Sequence, residues 1–375
     1  VIYLDSLQET VELTVSELRP NMILAKDALL KSGIVILAKN TRLDSSNYKK
    51  LEKNQEITKV EVYTYSIDNR NKPFSNVENV KEKVQESERN NPVLQKPEFK
   101  RFQETYDKKI DELKGCVEAL KRGEDAHQEE LYSIIDSIVN TANCASDLVH
   151  YISYLDKMDD CTYAHSINVA VLSHICATWM HLDNEDIEKA SVAGLLHDIG
   201  KSALELTEEE ILNGDMLTDE KLLKYRKHPE LGYEILLFQD LDDDIKQTVL
   251  SHHERINGSG YPNGLIDKDL SMITKIVSVC DTYDNLISVK KRCPFEILND
   301  FEHMNIGLLD TEILFQFTKN IAYTYISSYV ELSNNKTAQV MFINQNFLSR
   351  PIVATLDGTI IDLSYDKTIK IVSMA

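Results

Sequence analysis

Five histidines carry the first chemical signal in this chain: His165 in YAHSINVAVLS, His197 in AGLLHDIGKS, His228 in KHPELGYEIL, and His252 with His253 in LSHHERINGSGYPNGL. Each lies in text that reads as helix, beside carboxylates and glycine turns. Asp198 follows His197 directly, and Asp281 ends the apolar run ITKIVSVCD. A single histidine on an apolar face is ordinarily a satisfied core residue, so the signal is the set. Imidazole with carboxylate suits a borderline-to-hard divalent ion such as Mn, Fe or Zn, and no nearby cysteine pair suggests a thiolate zinc site. On a helix, the adjacent pairs His197-Asp198 and His252-His253 would each diverge by about 100° and address two sides of one pocket. The set exceeds the need of one ion that keeps water positions open. It suffices for two ions sharing a carboxylate. Two ions roughly 3.5–4 Å apart can hold a bridging hydroxide and stabilise the attacking and leaving oxygens of phosphoester displacement.

The elements that must position these residues are mostly helical, since residues 98 to 330 read as helix almost throughout. Within them Leu131, Ile135, Ile138, Ala142, Ala145, Val149 and Ile152 recur at alternating steps of four and three. That stripe predicts one long helix, packed in its own domain or serving as the seam of a homodimer. Residues 11 to 64 mix β-branched runs (VELTV, GIVILA, KVEVY) with the helix-like stretch DSSNYKKLEK, as a small α+β module does. Residues 66–97 are polar, with Pro73, Pro92 and Pro97, and read as a linker. The last forty residues return to β-type alternation (AQVMFIN, PIVATLDGTIIDL, TIKIV), with a turn at Asp357-Gly358.

The balance of 41 Lys and Arg against 61 Asp and Glu, a formal charge of -20, excludes a binder of nucleic-acid polymers, which needs a basic face. A small nucleotide remains compatible, because buried metal ions carry positive charge that a residue tally omits. The cysteines at 116, 144, 161, 176, 280 and 293 are scattered without a CxxC pair, as reduced thiols are. No apolar run approaches a bilayer span, and VIYLDSLQET has no signal-peptide core. A cytoplasmic protein without membrane attachment is the expectation.

His165, His197-Asp198 and Asp281 resemble, in order and context, the H…HD…D signature of the HD phosphohydrolase superfamily. His228, His252-His253 and Gly260-Tyr261-Pro262 resemble what sets the HD-GYP family apart within it. The likeness is dense over residues 197 to 265 and weaker from near 130 to the β-rich tail. VSELRPNMILAKDALLKSGIVILAKNTRL is similar to the small module that often precedes such domains. The resemblance implies a mainly α fold: an HD-type helical bundle over 98–335 with a β-rich C-terminal extension over 336–375. Before it would come a small α+β N-terminal domain over 1–65 and the polar linker over 66–97.

It further implies hydrolysis of cyclic di-GMP to pGpG or GMP, with two divalent ions, iron or manganese, as cofactors. One ion would be held by His165, His197, Asp198 and Asp281, the other by Asp198, His228, His252 and His253, with Asp198 as the bridge. Lys201 would offer its ammonium to a phosphate oxygen, against the plainer reading of a solvated helix end. Gly260, Tyr261 and Pro262 would shape the dinucleotide pocket, against a purely structural turn. Lys290 is the nearest counterpart of a phosphate-contacting Arg, with Lys291 or Arg292 as substitutes; KKR alone would read as a solvated face.

Two departures stand out. Asn257 replaces a frequent Asp, and Cys161 occupies the position, four residues before His165, where some members carry a Glu for a third ion. A two-ion site is therefore expected, with Cys161 a packing residue and Asp160 turned away around the helix. Two competing readings stay open. The chain could hydrolyse another cyclic dinucleotide such as cyclic GMP-AMP, or be a catalytically idle dinucleotide sensor; no metal ligand is missing to favour the latter.

Overall fold

The computed structural model of the chain describes residues 10–15, 24–30, 35–37, 43, 51, 57, 59–63, 97–155, 161–207, 210–211, 217–303 and 307–375. The chain divides into two compact units, Val1–Val80 and Lys81–Ala375. The expected linker at 66–97 and the expected helix at DSSNYKKLEK lie almost wholly outside the described residues.

In the first unit β1 (Thr10–Thr14) pairs antiparallel with β4 (Lys59–Tyr63), and β2 (Ala28–Leu29) pairs with β3 (Val35–Leu37). Leu24, Leu37, Leu43, Leu51, Val60 and Val62 close a small core of their own. The three β-branched runs in the sequence each supply one of these strands.

The second unit opens with α1 (Pro97–Lys121), a long amphipathic helix with Pro at its first position, where no amide partner is lost. Phe99, Phe102, Tyr106, Ile110, Leu113, Val117 and Leu120 bury one stripe of it. The predicted single helix through 131–152 is instead two, α2 (Gln128–Val139) and α3 (Ala145–Tyr154). The apolar stripe runs on through the break. Thr141 Oγ1 donates to the Ile138 carbonyl, so a short polar side chain takes up a backbone acceptor at the helix end. All seven stripe residues lie in or against the core of their own unit.

The remaining helices are α4 (Cys161–Trp179), α5 (Asn184–Leu196), α6 (Asp219–Tyr225), α7 (His228–Leu236), α8 (Asp243–Ser251), α9 (Met272–Asp284), α10 (Pro294–His303) and α11 (Thr311–Thr324). A 3-10 turn at Ile199–Ala203 follows α5, and a π-helical turn at Asn285–Val289 follows α9. Asp183, Asp242, Ser271 and Asp310 cap the starts of α5, α8, α9 and α11 with side-chain oxygens, which sets where each helix begins.

The expected β-rich tail begins a few residues early, at β5 (Tyr329–Leu332). It continues with β6 (Thr337–Asn344), β7 (Phe347–Thr355), β8 (Ile360–Asp362) and β9 (Ile371–Met374), in the antiparallel order β8-β7-β6-β5-β9. The turn at Asp357-Gly358 stands where expected: Gly358 has φ +83, and the Asp357 carboxylate accepts from Thr359 N and Thr355 Oγ1. Buried strand residues such as Val330, Val340 and Val353 join the helical core. The fold is thus mainly α with a C-terminal sheet. No described helix is long and apolar enough to cross a membrane, and the five described cysteines are free thiols.

Candidate metal centre

Helix ends, not helix faces, bring the site together. His165 sits in the second turn of α4 and Asp281 in the last turn of α9. His197 caps the C-terminus of α5, and Asp198 has already left the helix at φ -102, ψ 10. His252 likewise caps α8, with His253 beyond it, while His228 is the first residue of α7. The expectation that both adjacent pairs diverge on continuous helix is corrected accordingly. His197 and Asp198 still join different clusters, whereas His252 and His253 both join the same one, their ring centroids 4.1 Å apart.

Gly200 is what allows His228 so close. A Cβ built there would lie 1.9 Å from the His228 carbonyl oxygen and 2.5 Å from Gly232 N, so no side chain fits. This glycine sets the separation between the 3-10 turn and α7.

The imidazoles are fixed from behind. His197, His228 and His252 each donate Nδ1–H to a carbonyl three residues back, on Gly194 (2.8 Å), Tyr225 (2.8 Å) and Val249 (2.9 Å). A carbonyl only accepts, so the proton sits on Nδ1 and Nε2 presents a lone pair. His165 differs, its Nδ1 lying 2.7 Å from a carboxylate oxygen of Asp284.

Two clusters result. Asp198, His228, His252 and His253 form one, His165, His197 and Asp281 the other, with ligand atoms inside each within 4.8 Å of one another. Asp198 lies between them. Its Oδ1 is 3.2 Å from His228 Nε2 and 3.7 Å from His252 Nε2; its Oδ2 is 3.2 Å from His197 Nε2 and 3.6 Å from His165 Nε2. Six of the seven residues are buried, and His253 is nearly so.

The donor chemistry fits divalent cations. His228 Nε2 lies 3.3 Å from His252 Nε2, two lone pairs facing each other, and Asp198 Oδ1 is buried without a hydrogen-bond donor. Acceptors converging in this way are satisfied by a shared cation. Protonation states agree. Burial, with Lys201 and His197 nearby, outweighs the pull of Asp198 and holds His228 down at about 4. Burial and the neighbouring imidazoles keep His252 and His253 well below the usual histidine range. Burial also opposes charge on His165, but hydrogen bonds to Asp281 and Asp284 lift it to about 10, so a cation there would replace a proton. Burial resists charge on Asp198 too, yet His197 and Lys201 hold its carboxyl well below the ordinary range.

Lys201 is buried on the short turn, its ammonium paired with Asp198 Oδ2 and lying 5.3 Å over the Tyr225 ring. Tyr261 stacks on His253, with ring centroids 4.7 Å apart, and the Arg226 guanidinium covers the Tyr261 ring at 5.2 Å. Gly260 admits no side chain, since a Cβ there would lie 2.4 Å from Glu254 Cα. Pro262 follows Tyr261 through a cis peptide. Lys290 is exposed just past the π-helical turn, and Arg292 is engaged by Asp300 and Glu296. Cys161 opens α4, but its side chain and Asp160 lie outside the described residues.

Sequence reasoning missed two buried carboxylates. Asp284 orients His165 and accepts from Ser288 Oγ at 2.6 Å; its spacing from Asp281, one helical turn, was the available signal. Glu254, next to the histidine pair, accepts from the backbone amides of Asn263 (2.6 Å) and Leu265 (3.0 Å), and so ties the loop through Gly260 to α8. Nothing local signals that. Glu254→Ala would remove two part-buried, charge-assisted hydrogen bonds, at a cost on the order of 1–3 kcal/mol. Chemical denaturation should show that loss, and hydrogen exchange at the Asn263 and Leu265 amides should accelerate.

A helical bundle whose converging ends hold two histidine-carboxylate clusters around one aspartate is a scaffold that could hold divalent metal ions. Residues 121–304 match the HD-domain family. With both the His197-Asp198 pair and the Gly260-Tyr261-Pro262 triad in place, that segment is an HD domain with the marks of the HD-GYP type. A cyclic di-GMP phosphodiesterase of Pseudomonas aeruginosa is 31% identical over 226 residues, covering 58% of this chain and 52% of that protein. A 3'3'-cGAMP-specific phosphodiesterase of Vibrio cholerae is 26% identical over 185 residues, covering 47% and 42%. An HDG"Y"P protein of Bdellovibrio bacteriovorus superposes with TM-score 0.47 at 19% identity, over 84% of this chain and 99% of that one. The chain spans about half the length of the curated relatives it matches, or less.

Proposed function

We propose that this chain is a metal-dependent phosphodiesterase that hydrolyses cyclic di-GMP. The observation that carries the reading is Asp198, one carboxylate serving two histidine clusters with Lys201 at its side. Residues 98–335, with the sheet-rich extension over 336–375, are its catalytic domain, and residues 1–65 are a regulatory or structural module joined through the 66–97 linker.

One divalent ion would be held by His165, His197, Asp198 and Asp281, and a second by Asp198, His228, His252 and His253; iron or manganese suits such donors. Bound there, the ions supply Lewis-acid activation of water and neutralise phosphoryl charge. The chain's own groups do the rest. Neutral His228, His252 and His253 leave their Nε2 lone pairs available, and Asp284 keeps His165 oriented. Lys201 stays protonated because Asp198 outweighs the burial that opposes its charge, so its ammonium can meet a non-bridging phosphoryl oxygen. Tyr261 forms an aromatic wall beside His253. Water adds across the phosphorus–O3′ bond, its oxygen going to phosphorus and a proton to the departing 3′ oxygen, and linear pGpG results.

A second reading, hydrolysis of cyclic GMP-AMP, is favoured by the likeness to the Vibrio cholerae enzyme specific for that dinucleotide. The deciding assay incubates metal-analysed protein with both substrates and separates products over time. Expected are two ions per chain, linear pGpG from cyclic di-GMP, loss of turnover with chelator, and recovery with Mn or Fe. Fully metallated protein that binds cyclic di-GMP without releasing linear product would be a sensor instead. A third well-occupied ion at Cys161 or Asp160 would overturn the two-ion assignment.

A further inference from the structure

We propose that Arg226 reads guanine, and thereby sets the preference among cyclic dinucleotides; the proposal rests on the phosphodiesterase reading above. Arg226 follows α6 directly and stands two residues before His228, so it is carried to the rim of the site by the same segment that delivers a metal-ligand candidate. Its guanidinium carbon lies 5.2 Å from the centroid of the Tyr261 ring, which itself stacks on His253 at an interplanar angle of 28°. Tyr261 therefore links His253 of the cluster to Arg226, which is exposed.

The charge on Arg226 is uncommitted. Nearby cations pair with acids, Lys224 with Glu220 and Lys221 with Glu210, whereas no carboxylate pairs with Arg226 among the described residues. Contact with Tyr261 holds the guanidinium at the ring and leaves its N–H fork to a ligand. Phosphate recognition is already provided for at the cluster, where Lys201 lies. Arg226 touches Tyr261, the ring that stacks on His253, and so stands beside the cluster, within reach of the base of a nucleotide whose phosphate lies there.

Guanine presents two adjacent acceptors, O6 and N7, that match two parallel N–H donors. Adenine replaces O6 with an amino group. A guanidinium has donors only, so it binds the first edge and faces an unmatched donor on the second. A bidentate contact of this kind discriminates by roughly 5- to 150-fold.

The test compares metal-loaded wild type with Arg226→Ala and Arg226→Lys on cyclic di-GMP, 3'3'-cGAMP and cyclic di-AMP, measuring kcat/KM and dissociation constants separately. Expected is a wild-type preference for guanine. In Arg226→Ala the ratio of cyclic di-GMP to cyclic di-AMP should fall by 10-fold or more, chiefly through KM. Arg226→Lys, which keeps the charge without the fork, should fail to restore it. Equal losses on all three dinucleotides, an unchanged ratio, or full restoration by Lys would each overturn the assignment. Wild type that hydrolyses none of the three would sink the phosphodiesterase reading instead. In that case the ratio of dissociation constants still judges Arg226 by the same criterion.

Discussion

Asp198→Ala is expected to lose both bound ions and all measurable phosphodiesterase turnover, the largest effect of any single substitution in the site. The reason is geometric. Its two oxygens face different clusters, Oδ1 toward His228 and His252 and Oδ2 toward His197 and His165, so no other residue replaces it. Removing it would leave two cations facing each other with less compensating charge, or two sets of imidazole lone pairs with none. The activity loss should exceed the roughly 10–100-fold that outer-sphere partners of a metal cost. Lys201 would also keep a buried ammonium without its carboxylate, which destabilises the unloaded protein by about 3–5 kcal/mol. Asp198→Asn, which keeps the volume and hydrogen bonding but not the charge, separates the two contributions. Elemental analysis beside a denaturation curve measures both, and a variant that retained two ions and turnover would remove Asp198 from its assigned place.

Lys201→Ala should give the second-largest loss by a different route, with metal content preserved and kcat lowered by roughly 10²–10³. Lys201 contributes no lone pair to either cluster. Its ammonium, held between Asp198 and the Tyr225 ring, is placed for charge that develops on phosphorus during displacement. An interaction made mainly in the transition state reduces kcat and kcat/KM together and leaves KM little changed. Single-turnover rates on metal-analysed protein are the measurement. Turnover equal to wild type would return Lys201 to a structural role, and loss of metal alongside activity would make it a guard of Asp198 instead.

Much of this protein is legible along the chain because the information is local. The seven ligand candidates announce themselves by residue type and order, the terminal strands by β-branched alternation, and α1 by its apolar spacing. Where short-range pattern competes with short-range chemistry, the pattern alone misleads. The stripe from Leu131 to Ile152 predicts one helix, yet the Thr141 side chain bonds back to the Ile138 carbonyl where the helix stops, and the apolar face continues across the break.

Tertiary structure decided what depends on partners far apart in the chain. His165 meets Asp284 across 119 residues, and Asp198 meets His228 because Gly200 lets α7 approach the short turn, while His252 arrives from the end of α8. The histidine pairs sit at helix ends, a placement that periodicity does not encode. Glu254 holds a loop, and Arg226 covers Tyr261, with no motif marking either role. The physical reason is common to all of them. Residue type and spacing determine what a side chain can bind and which way a local segment turns, whereas the identity of its partner is chosen by packing of the whole core.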